Sequence, residues 1–316
     1  SSTQTITLDG SENMQPDWLW IKRRDGTNSN VLMDSSRGSG SNDSLLALLS
    51  NVSDDEYDLN DHVRSLDPDG FTLDDDTDNT VATNNSGQRY VAWNWKFNGG
   101  TTATNGNGSI TSTVQANTDA GQSIVLWSGN ETNSATIGHG LSSAPEVIIT
   151  KCRSHASSWT FGIGGLSQFS TNDYLSLNST NQKSNSTTFY QAYGSDTFTV
   201  GVSSADEMNR NTGGTARTYV SYCFHSVDGF SKMGKYDGNG NGSQDGEFVF
   251  TGFSPAWVLI KRTDNTNYWL IVDDKRIPSN ASSSTSYPPR NPVVRALYAD
   301  SGDQENVYGN GTGVDF

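Results

Sequence analysis

Apolar positions in this chain fall in short runs between longer polar stretches, and three of the runs share one pattern. The clearest is Pro255-Ala-Trp-Val-Leu-Ile-Lys-Arg262, followed by Trp269-Leu-Ile-Val-Asp-Asp-Lys-Arg276. Its relatives are Pro16-Asp-Trp-Leu-Trp-Ile-Lys-Arg23 with Val31-Leu-Met-Asp-Ser-Ser-Arg37, and Pro145-Glu-Val-Ile-Ile-Thr-Lys-Cys-Arg153 with Trp159-Thr-Phe-Gly162. In each, a proline opens, four or five mostly apolar residues follow and a lysine closes. Runs this short, rich in Val, Ile and Trp, predict buried strands rather than helices. Proline, with φ fixed and no N–H to donate, suits the first position of a strand.

A second motif repeats on nearly the same spacing, with Phe71 and Phe198 set 127 residues apart. Gly70-Phe-Thr-Leu73 recurs as Thr197-Phe-Thr-Val200, and Tyr90-Val-Ala-Trp-Asn-Trp95 as Tyr219-Val-Ser-Tyr-Cys-Phe224. Pro16 to Pro145 and Tyr90 to Tyr219 are both 129 residues apart. A repeat of that length is a domain, not a solenoid turn. The pattern divides the chain into copy 1 (1–98), copy 2 (99–228, a linker strand plus the repeat) and copy 3 (229–316), which stops short. Copy 1 opens without a counterpart of 123–127 or 230–236. Copy 3 reaches Phe316, the counterpart of Phe71 and Phe198, without a counterpart of 90–95 or 219–224. Incomplete sandwiches expose edges and core rings. The expectation is therefore either more chain or a neighbouring subunit that supplies the strands.

Further elements follow from turn chemistry. Asp25-Gly26 predicts a hairpin over 21–31. Residues 5–8, 110–114, 123–127, 135–141, 174–177 and 188–190 read as strands. The run Leu45-Leu-Ala-Leu-Leu49 reads as a short helix or a turn, and the Gly/Thr/Asn-rich stretch 98–121 as a linker. In copy 3, residues 230–236 take the place of 123–127, and 248–253 that of 135–141. The predicted fold class is all-β: tandem antiparallel β-sandwich domains, lectin-like or jelly-roll-like, in three related copies of which the third is incomplete.

Composition sharpens this picture. Only 32% of the 316 residues are hydrophobic, yet 10% are Phe, Trp or Tyr, which predicts small aromatic cores under long polar loops. The formal net charge of −15 repels nucleic acid and anionic lipid, so neither is an expected partner. It suits solubility alone, or a surface that gathers divalent cations. No apolar run is long enough to span a membrane as a helix. Two cysteines, Cys152 and Cys223, make neither a disulfide framework nor a zinc site. They read as buried thiols or a single bond. No signal-peptide pattern opens the chain, which fits a processed product or part of something longer.

Candidate chemistry is sparse. His62, His139, His155 and His225 stand in no metal-ligand spacing, and no nucleophile elbow, phosphate loop or zinc-protease motif is present. The expectation is no catalytic residue and no enzyme. Asp237, Asn239, Asn241, Asp245 and Glu247 place oxygen ligands along a Gly-rich loop, in part like an EF-hand; the competing reading is a plain turn. Phe248 stands where that motif needs its bidentate Glu. Asp74, Asp76 and Asp78 would share one face of an extended segment and so form a candidate cation cluster. Calcium is thus the one candidate cofactor. Trp18, Trp20, Trp93, Trp95, Trp159, Trp257 and Trp269 recur within the repeated strands, which favours core packing over a sugar platform.

The order Pro-x-Trp-x-x-Ile-Lys-Arg, Trp-x-x-x-Asp-x-x-Arg, Gly-Phe-Thr-Leu and Tyr-Val-Ala-Trp-x-Trp-Lys resembles an uncharacterised repeat domain. That domain occurs in structural proteins of marine tailed bacteriophages, of the tail-fibre or appendage kind. The phrases Asn107-Gly-Ser-Ile-Thr-Ser-Thr-Val-Gln-Ala-Asn117, Gly138-His-Gly-Leu141, Gly229-Phe-Ser-Lys232, Tyr236-Asp-Gly-Asn-Gly240 and Phe250-Thr-Gly-Phe-Ser-Pro-Ala256 carry the likeness over nearly the whole chain. The resemblance implies a non-enzymatic virion-surface or extracellular component with lectin-like sandwiches. Its implied partners are copies of itself or other virion proteins, and a host-surface glycan is the candidate ligand. A carbohydrate-binding adhesin is the alternative. The acidic loop at 52–62 and Tyr287-Pro-Pro-Arg290 depart from the pattern.

Overall fold

A computed structural model of the chain describes residues 2–76, 81–240, 247–276, 292–293, 295–307 and 314–315. It is built of antiparallel β-sheets, with one 3-10 turn at Ser41–Asp43 and no α-helix among the described residues.

Copy 1 has β1 (Gln4–Thr7), β2 (Trp18–Arg23), β3 (Val31–Asp34), β4 (Leu48–Leu49), β5 (Val63–Asp67), β6 (Gly70–Leu73) and β7 (Tyr90–Trp95). The larger sheet runs β4-β3-β2-β7 and the smaller β1-β6-β5. The predicted hairpin is present, with Ile21 paired to Val31. The stretch 45–49 is not helical: Leu48 and Leu49 pair with Leu32 and Val31 as a buried strand. A burial site beside β3 overrides the helical composition.

Copy 2 has β8 (Ala103–Asn105), β9 (Ser112–Asn117), β10 (Gln122–Ser128), β11 (Ala135–Gly138), β12 (Val147–Cys152), β13 (Thr160–Gly162), β14 (Asp173–Ser176), β15 (Ser184–Asn185), β16 (Tyr190–Tyr193), β17 (Thr197–Val200), the small hairpin β18 (Asn211–Thr212) with β19 (Thr215–Ala216), and β20 (Thr218–Phe224). Its sheets run β15-β14-β13-β12-β20-β10-β9-β8 and β11-β17-β16. Copy 3 has β21 (Trp257–Lys261), β22 (Trp269–Asp273), β23 (Pro292–Val293), β24 (Arg295–Tyr298), β25 (Asn306–Val307) and β26 (Val314–Asp315), with the sheet β21-β22-β24-β25 and the pair β23-β26.

The motif strands hold equivalent places: β2, β12 and β21 pair with β3, β13 and β22. In copies 1 and 2 a closing strand, β7 or β20, lies on the other side. Among the described residues β21 has no such neighbour. Residues 230–236 and 248–253 form no strands, unlike their counterparts β10 and β11. Those two strands pair with β20 and β17; among the described residues copy 3 has no equivalent of β20, and of β17 only its first position, Asp315 in β26.

Period-2 alternation sends the two faces of β2 into different cores. Trp18 and Trp20 join a central cluster with Trp93, Ile149, Trp159, Phe161, Tyr222, Trp269, Ile271 and Leu297, which draws on all three copies. Leu19 and Ile21 instead pack with Phe71 and Leu73 between the two sheets of copy 1. In copy 2 the second core holds Trp127, Ile137, Phe198 and Tyr219. Five of the seven motif tryptophans are buried, and Trp95 and Trp257 are half-buried, with rings 5.3 Å apart. Cys152 and Cys223 are buried and free.

Candidate functional site

The predicted cation ligands do not gather among the described residues. Asp237 and Asn239 are exposed, and Asp237 pairs with Lys235 at 2.9 Å. Glu247 is also exposed. Asn241 and Asp245 lie outside the described residues, as does Asp78. Asp74 faces Arg64 at 3.6 Å and accepts from Thr3 Oγ1. Asp76 turns inward and is buried, accepting from the Thr83 and Asn84 N–H groups with His62 Nε2 3.9 Å away. No three His, Cys, Asp or Glu side chains come together among the described residues in a way that could hold a metal.

A recurring set of polar contacts lies where one copy meets the next. Each motif lysine reaches into a neighbouring copy. Lys22 Nζ donates to Gly302 O at 3.0 Å, Lys151 Nζ to Ser53 O at 3.3 Å and Lys261 Nζ to Thr180 O at 3.1 Å. Eight residues beyond each lysine stands a second donor. Asn30 Nδ2 reaches Tyr298 O, Trp159 Nε1 reaches Leu49 O and Trp269 Nε1 reaches Ser176 O, each at 2.9 Å. A backbone bond repeats as well: Glu305 N–H to Arg24 O, Glu56 N–H to Arg153 O and Lys183 N–H to Thr263 O. In every set copy 1 contacts copy 3, copy 2 contacts copy 1 and copy 3 contacts copy 2. The three copies therefore close into a ring, with contacts repeating as a threefold rotation would repeat them.

Two of the three seams carry the same buried charge network. Between copies 1 and 2, Arg37 bonds Asp34 and Glu56, and Arg153 clasps Glu56 from the other side. Between copies 3 and 1, Arg276 bonds Asp273 and Glu305, and Arg24 clasps Glu305. The aspartates also accept from closing strands: Asp34 Oδ2 from Tyr222 OH at 2.6 Å, and Asp273 Oδ2 from Trp93 Nε1 at 3.0 Å. Burial alone would raise the Glu305 carboxyl, but hydrogen bonds from Arg24 and Arg295 outweigh it and hold the group below its usual value. Between copies 2 and 3 the equivalent positions are Ile163, Leu166, Lys183 and Thr263. Ile163 stands where an aspartate would receive the closing strand that the described part of copy 3 lacks.

A second feature is an open groove in copy 1 of about 670 Å³, lined by Ile6, Phe71, Leu73, Tyr90, Ala92 and Asn94. The same place in copy 2 is filled by β10. A family profile, described as a domain of unknown function (DUF7483), matches residues 1–312. The chain belongs to the DUF7483 family. No curated protein and no solved structure matches it.

For this DUF7483 chain the ring was the feature that sequence reasoning missed. Its signal was present: the lysine, the residue eight beyond it and the Asp-x-x-Arg pair recur at fixed offsets in two or three copies. Those offsets revealed a repeat. They did not reveal that the polar members face the next copy.

Proposed function

We propose that this chain is a non-enzymatic structural component of an extracellular assembly, a virion-surface or tail-fibre protein of a tailed bacteriophage. The observation that carries the structural half is the ring itself, because the buried donors and ions join copy to copy rather than converge on a cleft. The phage half rests on the motif resemblance. Mass spectrometry and antibody labelling of purified particles test it. The expected result is the chain in intact particles, decorated on an appendage; recovery only as a soluble protein from particle-free fractions removes the reading.

One observation favours a carbohydrate-binding adhesin as a second reading. Tyr268 is exposed, and its ring lies 4.7 Å from that of Tyr298, a surface on which a sugar face can stack. A glycan array answers it: binding lost in Tyr268→Ala supports the reading, and no binding by the assembled protein ends it. Calcium held by Asp237, Asn239 and Glu247 together with Asn241 and Asp245 would raise the melting temperature. A melting temperature unchanged in excess chelator removes that role.

A further inference from the structure

In copy 2 the second core is closed by β10. Trp127 lies flat on Tyr219, with ring centroids 4.3 Å apart and planes 16° apart, and donates from Nε1 to Ser221 Oγ at 2.9 Å. Ile137 and Tyr219 are fully buried as a result. Copy 1 repeats the floor of this arrangement without its cover. Ile6 pairs with Phe71 as Ile137 pairs with Phe198, and Tyr90 stands where Tyr219 does. Yet Ile6 and Tyr90 are only half-buried, and among the described residues β7 pairs on one side alone, with β2. The groove of about 670 Å³ lies over these side chains. At one end of it Asn94 Oδ1 is buried with no donor among the described residues.

Elsewhere the same molecule displays a segment with the pattern of β10 that joins no sheet among the described residues, held to its own chain by the Ser231–Val227 bridge and a bond from Met233 N–H to Ser226 Oγ. Tyr236-Asp-Gly-Asn matches Trp127-Ser-Gly-Asn, and Gly229-Phe-Ser matches Gly121-Gln-Ser with one extra residue between the two phrases; the first match sets the register. Phe230 is 56% exposed and Tyr236 48%. We propose that residues 229–236 of one molecule add as an antiparallel strand to the free edge of β7 in a second copy of this chain, with Tyr236 on Tyr90.

Charge selects this occupant over other parts of the surface. A chain of net charge −15 repels its own copies, and residues 229–236 carry Lys232 and Lys235 with no acid. The β10–β20 register, in which Trp127 faces Tyr219, sets Tyr236 opposite Tyr90, Gly234 opposite Ala92 and Lys232 opposite Asn94. A lysine there supplies the donor that Asn94 Oδ1 lacks. Strand addition of this kind gives affinity through main-chain bonds and specificity through the alternate side chains. Because donor and acceptor are different surfaces, the contact is heterologous and builds rings or open filaments. It holds whether or not the assembly is a virion, so failure to find the chain in particles leaves it standing.

Analytical ultracentrifugation of the full chain tests it. Mass should rise with concentration through dimers to larger species. Tyr236→Asp should weaken that association about tenfold or more while leaving the melting temperature unchanged, since Tyr236 is already exposed. Equal mixtures of Ala92→Cys and Gly234→Cys chains should form a disulfide between chains, identified by peptide mass. A monomer at every accessible concentration overturns the proposal. So does association indifferent to Tyr236→Asp, or a crosslink that forms only within a single chain bearing both substitutions. That last result would place the segment on its own β7.

Discussion

Two of the ring's seams carry a buried Asp–Arg–Glu–Arg network, and at the third Ile163 and Leu166 replace its aspartate and first arginine, although the backbone bond is the same at all three. Glu56, Glu305 and Lys183 donate their N–H groups to Arg153, Arg24 and Thr263 in equivalent bonds. Around that shared bond lie Asp34 and Arg37 at one seam, Asp273 and Arg276 at the next, and Ile163 and Leu166 at the last. The difference follows the closing strands. Tyr222 and Trp93 each bring a polar group to a buried aspartate, and no such strand is described in copy 3. At position 163 isoleucine stands where the other two seams have that aspartate. Ala256 differs likewise from its counterparts: Asp17 and Glu146 each bond the chain just after a closing strand.

The largest expected effect comes from breaking one charged seam. Arg37→Met leaves Asp34 and Glu56 without their buried cation and should cost about 3–5 kcal/mol. Replacing the whole set after the pattern of the third seam should cost far less, and can even stabilise, because a matched apolar group carries no desolvation penalty. The changes are Asp34→Ile, Arg37→Leu, Glu56→Met and Arg153→Thr, with Tyr222→Phe to remove the orphaned hydroxyl; a lysine at 56 is avoided because Lys183 has Asp173 at 3.0 Å, whereas copy 1 has Leu46 in that place. Urea unfolding of both variants decides: a single change cheaper than the full replacement would mean the seams are not interchangeable.

The lysines sharpen the same comparison. Burial lowers Lys22 and Lys151 to about 8, and lowers Lys261, which is only half-buried, without so large a shift. A lysine with a folded pKa near 8 and an unfolded value of 10.5 makes the native state shed its proton first. The penalty for burying the charge is therefore full below pH 8 and is relieved as pH rises towards 10.5. Relative to Lys151→Met, the wild type should gain on the order of 2–3 kcal/mol across that window. Taking the difference removes the opposing titration of cysteines and tyrosines. Relative to Lys261→Met the gain should be smaller, and an equal gain would erase the distinction between the seams.

How much of this was legible before the fold was known depends on which partner a residue has. The strands of copies 1 and 2 were readable because their alternation and turns are local: Asp25-Gly26 sits in the loop that closes the β2–β3 hairpin. The stretch 45–49 misled because its strand character comes from Val31 and Leu32, which composition cannot register. Residues 230–236 and 248–253 misled in the opposite sense. Their likeness to β10 and β11 is real, but a strand needs a neighbour, and the described part of copy 3 provides none. The candidate cation ligands were chosen by spacing along the chain. In space Asp76 serves a turn, Asp74 faces Arg64, and Asp237 pairs with Lys235.

The smallest effect isolates a single bond of the ring. Trp159 and Trp269 each donate one indole N–H to a carbonyl of the neighbouring copy, whereas copy 1 uses Asn30. The ring of copy 1 has moved to Trp20, whose counterparts are Ile149 and Leu259, and Trp20 Nε1 in turn bonds Asn30 Oδ1 at 3.0 Å. Bulk is conserved across the pair of positions while the donor changes. Trp159→Phe keeps most of the ring and deletes the donor, so it should cost about 1–1.5 kcal/mol, the worth of one hydrogen bond. Asn30→Ala removes two bonds to copy 3, to Tyr298 O and Ser301 O, and strands the Trp20 indole. It should therefore cost more than Trp159→Phe. Thermal unfolding of the two variants side by side reads the difference, and the reverse order would show that packing, not the donors, closes the ring.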